Sequence, residues 1–232
     1  VLHSAFGSSG QRCSALRVLY VQDDVADHVI NMLKGAMQQR RLGDPRRLST
    51  DIGPVIDTQA KQMLEEHVQK LEQIGTKIAT IPLAQELQDQ GTFFQPCAYE
   101  IDSILSLEKE IFGPVLHVIR FKSSELPRLM DEINQTGYGL TFGVHSRIQS
   151  SVKTLTQNAD VGNAYVNRTM TGAVVGVQPF GGHGLSGTGP KAGGPHYLYR
   201  FANEKVISTD TTRQGGNASL VSLQEDISVT KH

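Results

Sequence analysis

From Leu16 to Asn167 the chain alternates between a strand-like and a helix-like periodicity, and that alternation narrows the folds open to it. Leu16 to Val21 is an apolar, β-branched strand candidate. Asp23 or Asp24 then caps a helix running to about Gln39, with Val25, Val29, Met32, Leu33 and Ala36 on one face. Gly43-Asp44-Pro45 stops it. A second helix follows the cap Asp57, carries Ala60, Met63, Leu64, Val68 and Leu71 at helical spacing, and closes at Gly75. Lys77 to Ile81 reads as a short strand and Leu83 to Gly91 as a polar surface loop. Thr92 to Tyr99 and Val115 to Phe121 read as strands, Leu126 to Asn134 as helix, Leu140 to His145 as strand. Ile148 to Asn158 is helical again, and Val161 to Asn167 is a strand. Strands alternating with helices predict an α/β fold, a three-layer, mainly parallel sheet. From Thr171 the texture becomes glycine-rich loop, followed by a strand-like run, Phe201 to Ile207, and a β-prone polar tail.

Composition excludes several function classes. A chain of 232 residues, 38% hydrophobic, can bury a core as one sizeable domain. A formal net charge of -1 gives no electrostatic reason to expect nucleic acid or an anionic membrane as partner of this segment. No apolar run reaches membrane-spanning length and no signal peptide is visible. Cys13 and Cys97 make neither a metal spacing nor a disulfide framework, which points to a reducing compartment, the cytoplasm. The 8 histidines show no ligand spacing, so no metal is expected. Because the chain opens at Val1, inside an apolar segment without an N-cap, it reads as the C-terminal piece of something longer.

One cysteine sits in unusual company. Phe6-Gly7-Ser8-Ser9-Gly10-Gln11-Arg12-Cys13-Ser14 places a thiol in a tight, glycine-lined turn, with Arg12 and Ser14 on either side. A cation beside a thiol favours the thiolate, the nucleophilic form. A lone cysteine is more commonly a packed structural residue, which is the reading for Cys97 beside Pro96. Downstream, Glu110-Ile111-Phe112-Gly113-Pro114 sets a carboxylate two residues before an aromatic ring and a Gly-Pro turn. Gly162-Asn163-Ala164-Tyr165-Val166-Asn167 passes for a core strand. Pro179-Phe180-Gly181-Gly182-His183-Gly184-Leu185-Ser186-Gly187 concentrates glycines whose entropy cost needs a reason. Its formal G-x-G-x-x-G is not a phosphate loop, since no strand leads in and Gly189-Pro190 blocks a following helix.

In this order, Gly10-Gln11-Arg12-Cys13, Glu110-x-Phe112-Gly113-Pro114, Tyr165-Val166-Asn167, Pro179-Phe180-Gly181-Gly182 and Ser186-Gly187 resemble the aldehyde dehydrogenase superfamily. The resemblance runs from about Phe6 to Ile207. Asn167-Arg168, Gly176 to Phe180, Thr188 to Pro195 and Gly215 to Leu220 are further similar to one bacterial branch of it. That branch is the C-terminal L-glutamate γ-semialdehyde (Δ1-pyrroline-5-carboxylate) dehydrogenase part of the bifunctional proline utilisation A enzymes.

The resemblance implies an NAD-dependent oxidation of L-glutamate γ-semialdehyde to L-glutamate. Cys13 is then the nucleophile, forming a thiohemiacetal and a thioester, with its backbone N–H as one oxyanion donor. Glu110 matches the carboxylate that holds the nicotinamide ribose, and Phe112 the ring beside the nicotinamide. Arg12, Ser14 and the N–H groups of Gly193 and Gly194 match the anchor for the substrate carboxylate, and Phe201 an aromatic packed on its aliphatic part. Residues 1–205 are then a catalytic cysteine domain truncated at its N-terminus, and 206–232 a strand and tail that oligomerises or covers a passage between active sites. Also implied are upstream nucleotide-binding and FAD-containing proline dehydrogenase domains, a homo-oligomer, and a cytoplasmic or membrane-peripheral enzyme. Arg12 could instead only tune the sulfur. Other readings of the residues stay open: another aldehyde dehydrogenase, a cysteine acyltransferase or protease with a histidine partner, or a nucleotide-binding module resting on the glycine-rich loop.

Overall fold

The computed structural model of the protein describes residues 1–88 and 90–210. The chain divides into two units, Val1–Tyr197 and Leu198–His232. The first is built on a four-stranded sheet. In chain order its elements begin with α1 (Leu2–Phe6), β1 (Val18–Gln22), α2 (Asp23–Gln38), α3 (Thr58–Ile74), β2 (Thr76–Thr80), α4 (Gln85–Gln88), β3 (Cys97–Glu100) and β4 (Val115–Phe121). The strand order is β1-β4-β3-β2. β4 pairs in parallel with β1 (Val18 opposite His117) and with β3 (Cys97 opposite Val115), while β2 closes the far edge antiparallel to β3.

Alternation along β4 makes the layers. Leu116 and Val118 join Ala5, Phe6, Ile30, Leu33 and Met37 beneath α1 and α2. Val115 and Ile119 point the other way and join Cys97, Tyr99, Leu64 and Leu71 against α3. A strand with period two between two helical faces gives the expected three-layer α/β arrangement. Each fully buried Leu, Ile or Val here contributes about 1.5–3 kcal/mol relative to exposure.

The chain continues with α5 (Leu126–Gln135), β5 (Tyr138–Gly139), β6 (Thr141–Val144), α6 (Gln149–Asn158), β7 (Asn163–Val166) and β8 (His183–Gly184). β6 and β7 pair in parallel and β5 and β8 antiparallel, as two separate ribbons. Among the described residues no helix is long and apolar enough to cross a membrane, and no group of three His, Cys, Asp or Glu is placed to hold a metal ion.

Several expectations need correcting. Gln22 is the N-cap of α2, so Asp23 and Asp24 lie in its first turn, where they face the helix dipole. The buried stripe of α2 is Ala26, Ile30, Leu33 and Met37, turned from the expected face, and Val25 and Met32 are exposed. The helix does end where expected, at Gln38 with Gln39 as its C-cap. Asp57 does cap α3, accepting from the Ala60 N–H at 2.7 Å. Gly75 follows α3 with an extended φ of -133°, not a left-handed cap. The strand expected from Thr92 begins only at Cys97, because Pro96 has no N–H for a ladder. One helical turn, α4, interrupts the expected loop from Leu83 to Gly91.

In the second unit Phe201 ends a short 3₁₀ turn, and residues 202–210 form neither helix nor strand. The strand expected over Phe201 to Ile207 is absent because Asn203-Glu204-Lys205 are poor strand formers. Val206 and Ile207 are exposed. The tail features expected over Gly215-Gly216 and Ala218 to Leu223 lie outside the described residues.

A histidine pair sits inside the α3 layer. His117 on β4 is fully buried, its Nε2 2.8 Å from Nε2 of His67 on α3 and its Nδ1 2.9 Å from the Arg17 backbone oxygen. A carbonyl only accepts, so His117 Nδ1 carries the proton and neutral His117 accepts from His67 at Nε2. Burial holds both rings down to about 4; His67 also faces His117, Lys70 and Lys109, and the Arg17 charge lowers His117 while its backbone bond opposes that. Their folded pKa lies below the unfolded value, so the unfolded chain binds more protons between pH of about 6.5 and 4. Stability is then complete above about pH 6.5 and falls toward pH 4, by up to about 1.4 kcal/mol per pH unit for each group. Thermal melts from pH 7 to 5 should show this slope, and His67→Gln should flatten it; an unchanged slope in the variant would remove the pair from the acid limit.

Candidate active site

The cysteine turn is left-handed before it reaches the cysteine. Ser8, Ser9 and Gly10 take φ of 53°, 55° and 64° in succession. Left-handed backbone costs a non-glycine residue roughly 1–2 kcal/mol, and side-chain bonds offset it here. Ser9 Oγ donates to the Gly53 carbonyl at 2.9 Å, and Ser8 Oγ accepts from Arg12 Nε at 2.9 Å. Gly10 has a second reason to be glycine: a Cβ there would stand 2.3 Å from the Gly113 carbonyl oxygen. The Gly-Gln-Arg-Cys turn and the Phe-Gly-Pro corner therefore touch backbone to backbone.

Beyond Gly10 the chain turns again, closed by the Ala15 N–H on the Arg12 carbonyl at 3.0 Å. Cys13 is exposed at its tip, and Ser14 is buried. Arg17 then reaches back. Its Nε and Nη2 donate to Glu110 Oε1 at 3.1 and 3.0 Å, and Nη2 also donates to the Arg12 carbonyl at 3.0 Å. Nη1 donates to the Gly10 carbonyl, and the guanidinium carbon lies 4.7 Å from the Phe112 ring centre. Burial lowers the Arg17 pKa and Glu110 opposes that; a guanidinium stays cationic through such a shift.

Cys13, Arg17 and Glu110 line one cavity of about 750 Å³ together with Tyr138, Leu185 and Ser186. The Tyr138 hydroxyl accepts from the Glu110 N–H at 3.3 Å, and Ser186 Oγ from the Gly139 N–H at 3.0 Å. The second glycine-rich stretch is packed here. A Cβ on Gly182 would lie 2.5 Å from the Gly139 carbonyl oxygen, so this glycine serves close backbone approach.

The expected substrate anchor is not assembled in the same way. Arg12 and Ser14 flank Cys13 in sequence but do not line the cavity, and neither do Gly193 and Gly194. The Gly194 N–H donates to the Lys191 carbonyl at 3.0 Å. Phe201 belongs to the second unit and is exposed. Arg17 is the residue that sequence reasoning missed; its signal was a lone cation inside an otherwise apolar strand run just after the cysteine.

Comparison with known proteins bears on this geometry. The model of the aldehyde dehydrogenase family matches residues 1–207. Bifunctional protein PutA of Escherichia coli (strain K12) is 54% identical over 221 residues, 92% of this chain and 17% of that protein. The 1-pyrroline-5-carboxylate dehydrogenase of Geobacillus sp. (strain WCH70) is 39% identical over 211 residues, 90% of this chain and 40% of that protein. Among solved structures, a mutant of Bradyrhizobium japonicum proline utilization A superposes with a TM-score of 0.83 at 51% identity, over 88% of this chain and 20% of that one. A Thermus 1-pyrroline-5-carboxylate dehydrogenase with bound NAD gives 0.78 at 33% identity, over 86% and 38%. The chain thus spans less than a fifth of the curated PutA proteins it matches and 40% of the single dehydrogenases.

The two thiols differ sharply in setting. Cys97 is 2% exposed and burial pushes its pKa up to about 12, whereas Cys13 stands open at its turn. Limiting iodoacetamide followed by peptide mapping should label Cys13 and leave Cys97 untouched. Equal or reversed labelling would argue against Cys13 as a reactive group.

Proposed function

This chain belongs to the aldehyde dehydrogenase family, and from that premise we propose that it supplies the nucleophile for NAD-dependent oxidation of L-glutamate γ-semialdehyde to glutamate. The observation that carries the reading is the cavity shared by the exposed Cys13 and the Glu110 carboxylate, with Arg17 bonded to both stretches. The relatives named for PutA and for 1-pyrroline-5-carboxylate dehydrogenase support the substrate class.

In this reading the Cys13 thiolate adds to the aldehyde carbon, and the carbonyl oxygen takes the electron pair as a thiohemiacetal oxyanion. The Cys13 N–H donates to that oxygen. NAD, when bound, supplies the acceptor for the aldehyde hydrogen, which leaves a thioester on Cys13. Water then cleaves the thioester, releasing the carboxylate and regenerating the thiol.

The residues present fit the cofactor. Glu110 is partly exposed at the cavity, and both Arg17 bonds fall on its Oε1. An ionised carboxylate only accepts, as two vicinal ribose hydroxyls require. Phe112 offers a partly exposed ring next to it.

For the substrate carboxylate we assign Arg12, the Ser14 hydroxyl and the Gly193 and Gly194 amides. The Gly194 amide has to leave the Lys191 carbonyl to take part. We assign residues 1–205 to the catalytic domain, 206–232 to the tail, and the FAD-dependent proline dehydrogenase activity to a separate upstream domain of the whole enzyme.

In the full-length protein, Cys13→Ser should lower NADH formation from the semialdehyde by more than about a thousandfold; substantial remaining activity would end the assignment. Ser14→Ala tests the anchor. It should lower kcat/KM for glutamate semialdehyde by about ten- to a hundredfold relative to propionaldehyde, the size of one hydrogen bond to a charged group. Equal losses on both aldehydes would take Ser14 out of the anchor.

A further inference from the structure

We propose that Arg17 is a positioning residue that holds the oxyanion-donating amide and the cofactor carboxylate in register with one guanidinium. This rests on the reading of Cys13 as nucleophile and Glu110 as ribose acceptor.

The geometry is specific. Arg17 is not bonded to the cysteine side chain; it grips the turn by two backbone carbonyls, those of Gly10 and Arg12. The Arg12 carbonyl and the Cys13 N–H belong to one peptide group. In a trans peptide these two bonds point in opposite directions across a rigid plane, so fixing the carbonyl fixes the direction of the N–H. The same Nη2 that holds the Arg12 carbonyl at 3.0 Å also holds Glu110 Oε1 at 3.0 Å. The aim of the amide and the place of the carboxylate are thereby set by one planar group.

The surroundings suit that task. The Arg17 side chain is 16% exposed and Glu110 34%, so the pair is partly withdrawn from water, where charge-assisted bonds gain strength. Phe112 faces the guanidinium at 4.7 Å and restrains its plane. A lysine could keep the charge but not the fork that serves several acceptors at once. A purely structural ion pair needs Glu110 alone; the two carbonyl bonds to the cysteine turn are what assign the further role.

Arg17→Lys in the full-length protein tests it with two readouts beside thermal stability. Hydrolysis of p-nitrophenyl acetate without NAD reports on Cys13 and its amide, and KM for NAD reports on Glu110. With the melting temperature shifted by only a few degrees, ester hydrolysis should slow about tenfold and KM for NAD should rise about tenfold, the effect of one charge-assisted bond in each case. The double variant Arg17→Lys, Glu110→Gln should raise KM for NAD no further than Glu110→Gln alone, because the two groups act as one unit. Lowered stability with neither readout changed, or a change in only one of them, overturns the proposal. Arg17→Gln, which keeps one amide donor, is the second variant; failure of both to fold makes Arg17 structural and also overturns it. Cys13→Ser run alongside separates the two layers: if it retains ester hydrolysis and NADH formation, the nucleophile assignment has failed, not the coupling.

Discussion

The backbone contact between Gly10 and Gly113 is the constraint on which the site depends. It arises from the sheet. β1 and β4 are parallel neighbours, with Val18 opposite His117, so the loops that lead into them emerge at the same end. One of those loops ends the cysteine turn and the other is Glu110 to Pro114. Any side chain at residue 10 would drive them apart, since even a Cβ would meet the Gly113 carbonyl at 2.3 Å. The parallel pairing brings Cys13 and the Glu110 carboxylate to one end of the sheet, and glycine lets their loops close to contact. In open α/β sheets ligands usually gather at the carboxyl ends of the strands; here the cluster stands at the amino ends of β1 and β4.

That closeness has an energetic cost and local compensation. Two serines sit in left-handed backbone, and a carboxylate and a guanidinium are drawn partly out of water. The hydroxyls of Ser8 and Ser9 answer the first, and the forked bonds of Arg17 answer the second. Behind them, the backbone oxygen of Arg17 is held by His117, which is held in turn by His67 on α3. The turn is therefore tied both to the glycine corner and to the helical layer. A strained segment persists where its surroundings over-determine it, and this one is fixed from two sides.

Much of this was legible in the sequence, and the reason differs by element. The limits of β4, Val115–Phe121, are legible because a short run rich in Val, Ile and Phe is bounded by the Gly113-Pro114 turn and the polar Lys122-Ser123-Ser124. Asp57 announced α3 because a cap acts locally. The ordered motifs around Cys13 and Phe112 are visible because close approach demands glycine in both stretches, at Gly10 against the Gly113 carbonyl and at Gly113 against the Leu64 side chain. Arg17 was hidden. Its partner Glu110 is distant in sequence, and its other partners are carbonyls, which every residue has and no motif records. The buried face of α2 was misjudged for a related reason: Val25 and Met32 satisfy helical spacing, but packing on the sheet selects Ala26, Ile30, Leu33 and Met37. The strand expected at Phe201 failed because an apolar start and end do not outweigh a polar middle without a partner strand.

The proposed chemistry and the proposed specificity rest on different kinds of structure. Cys13, Arg17 and Glu110 hang from the ends of paired strands, so their spacing is inherited from the sheet register. Among the proposed anchor groups, Arg12 and Ser14 sit in the Cys13 turn itself, whereas Gly193, with a φ of 70°, and Gly194, bonded to Lys191, belong to a separate loop. Loops accept substitution and rearrangement more readily than sheet pairings do. Under the proposed reading, changes at Gly193 or Gly194 would bear on which aldehyde is taken and leave Cys13 and Glu110 in place, while changes at Arg12 or Ser14 would disturb the Cys13 turn as well. Changes at Gly10 or Arg17 cannot be specific in that way, because each moves the Cys13 turn and the Glu110 corner together.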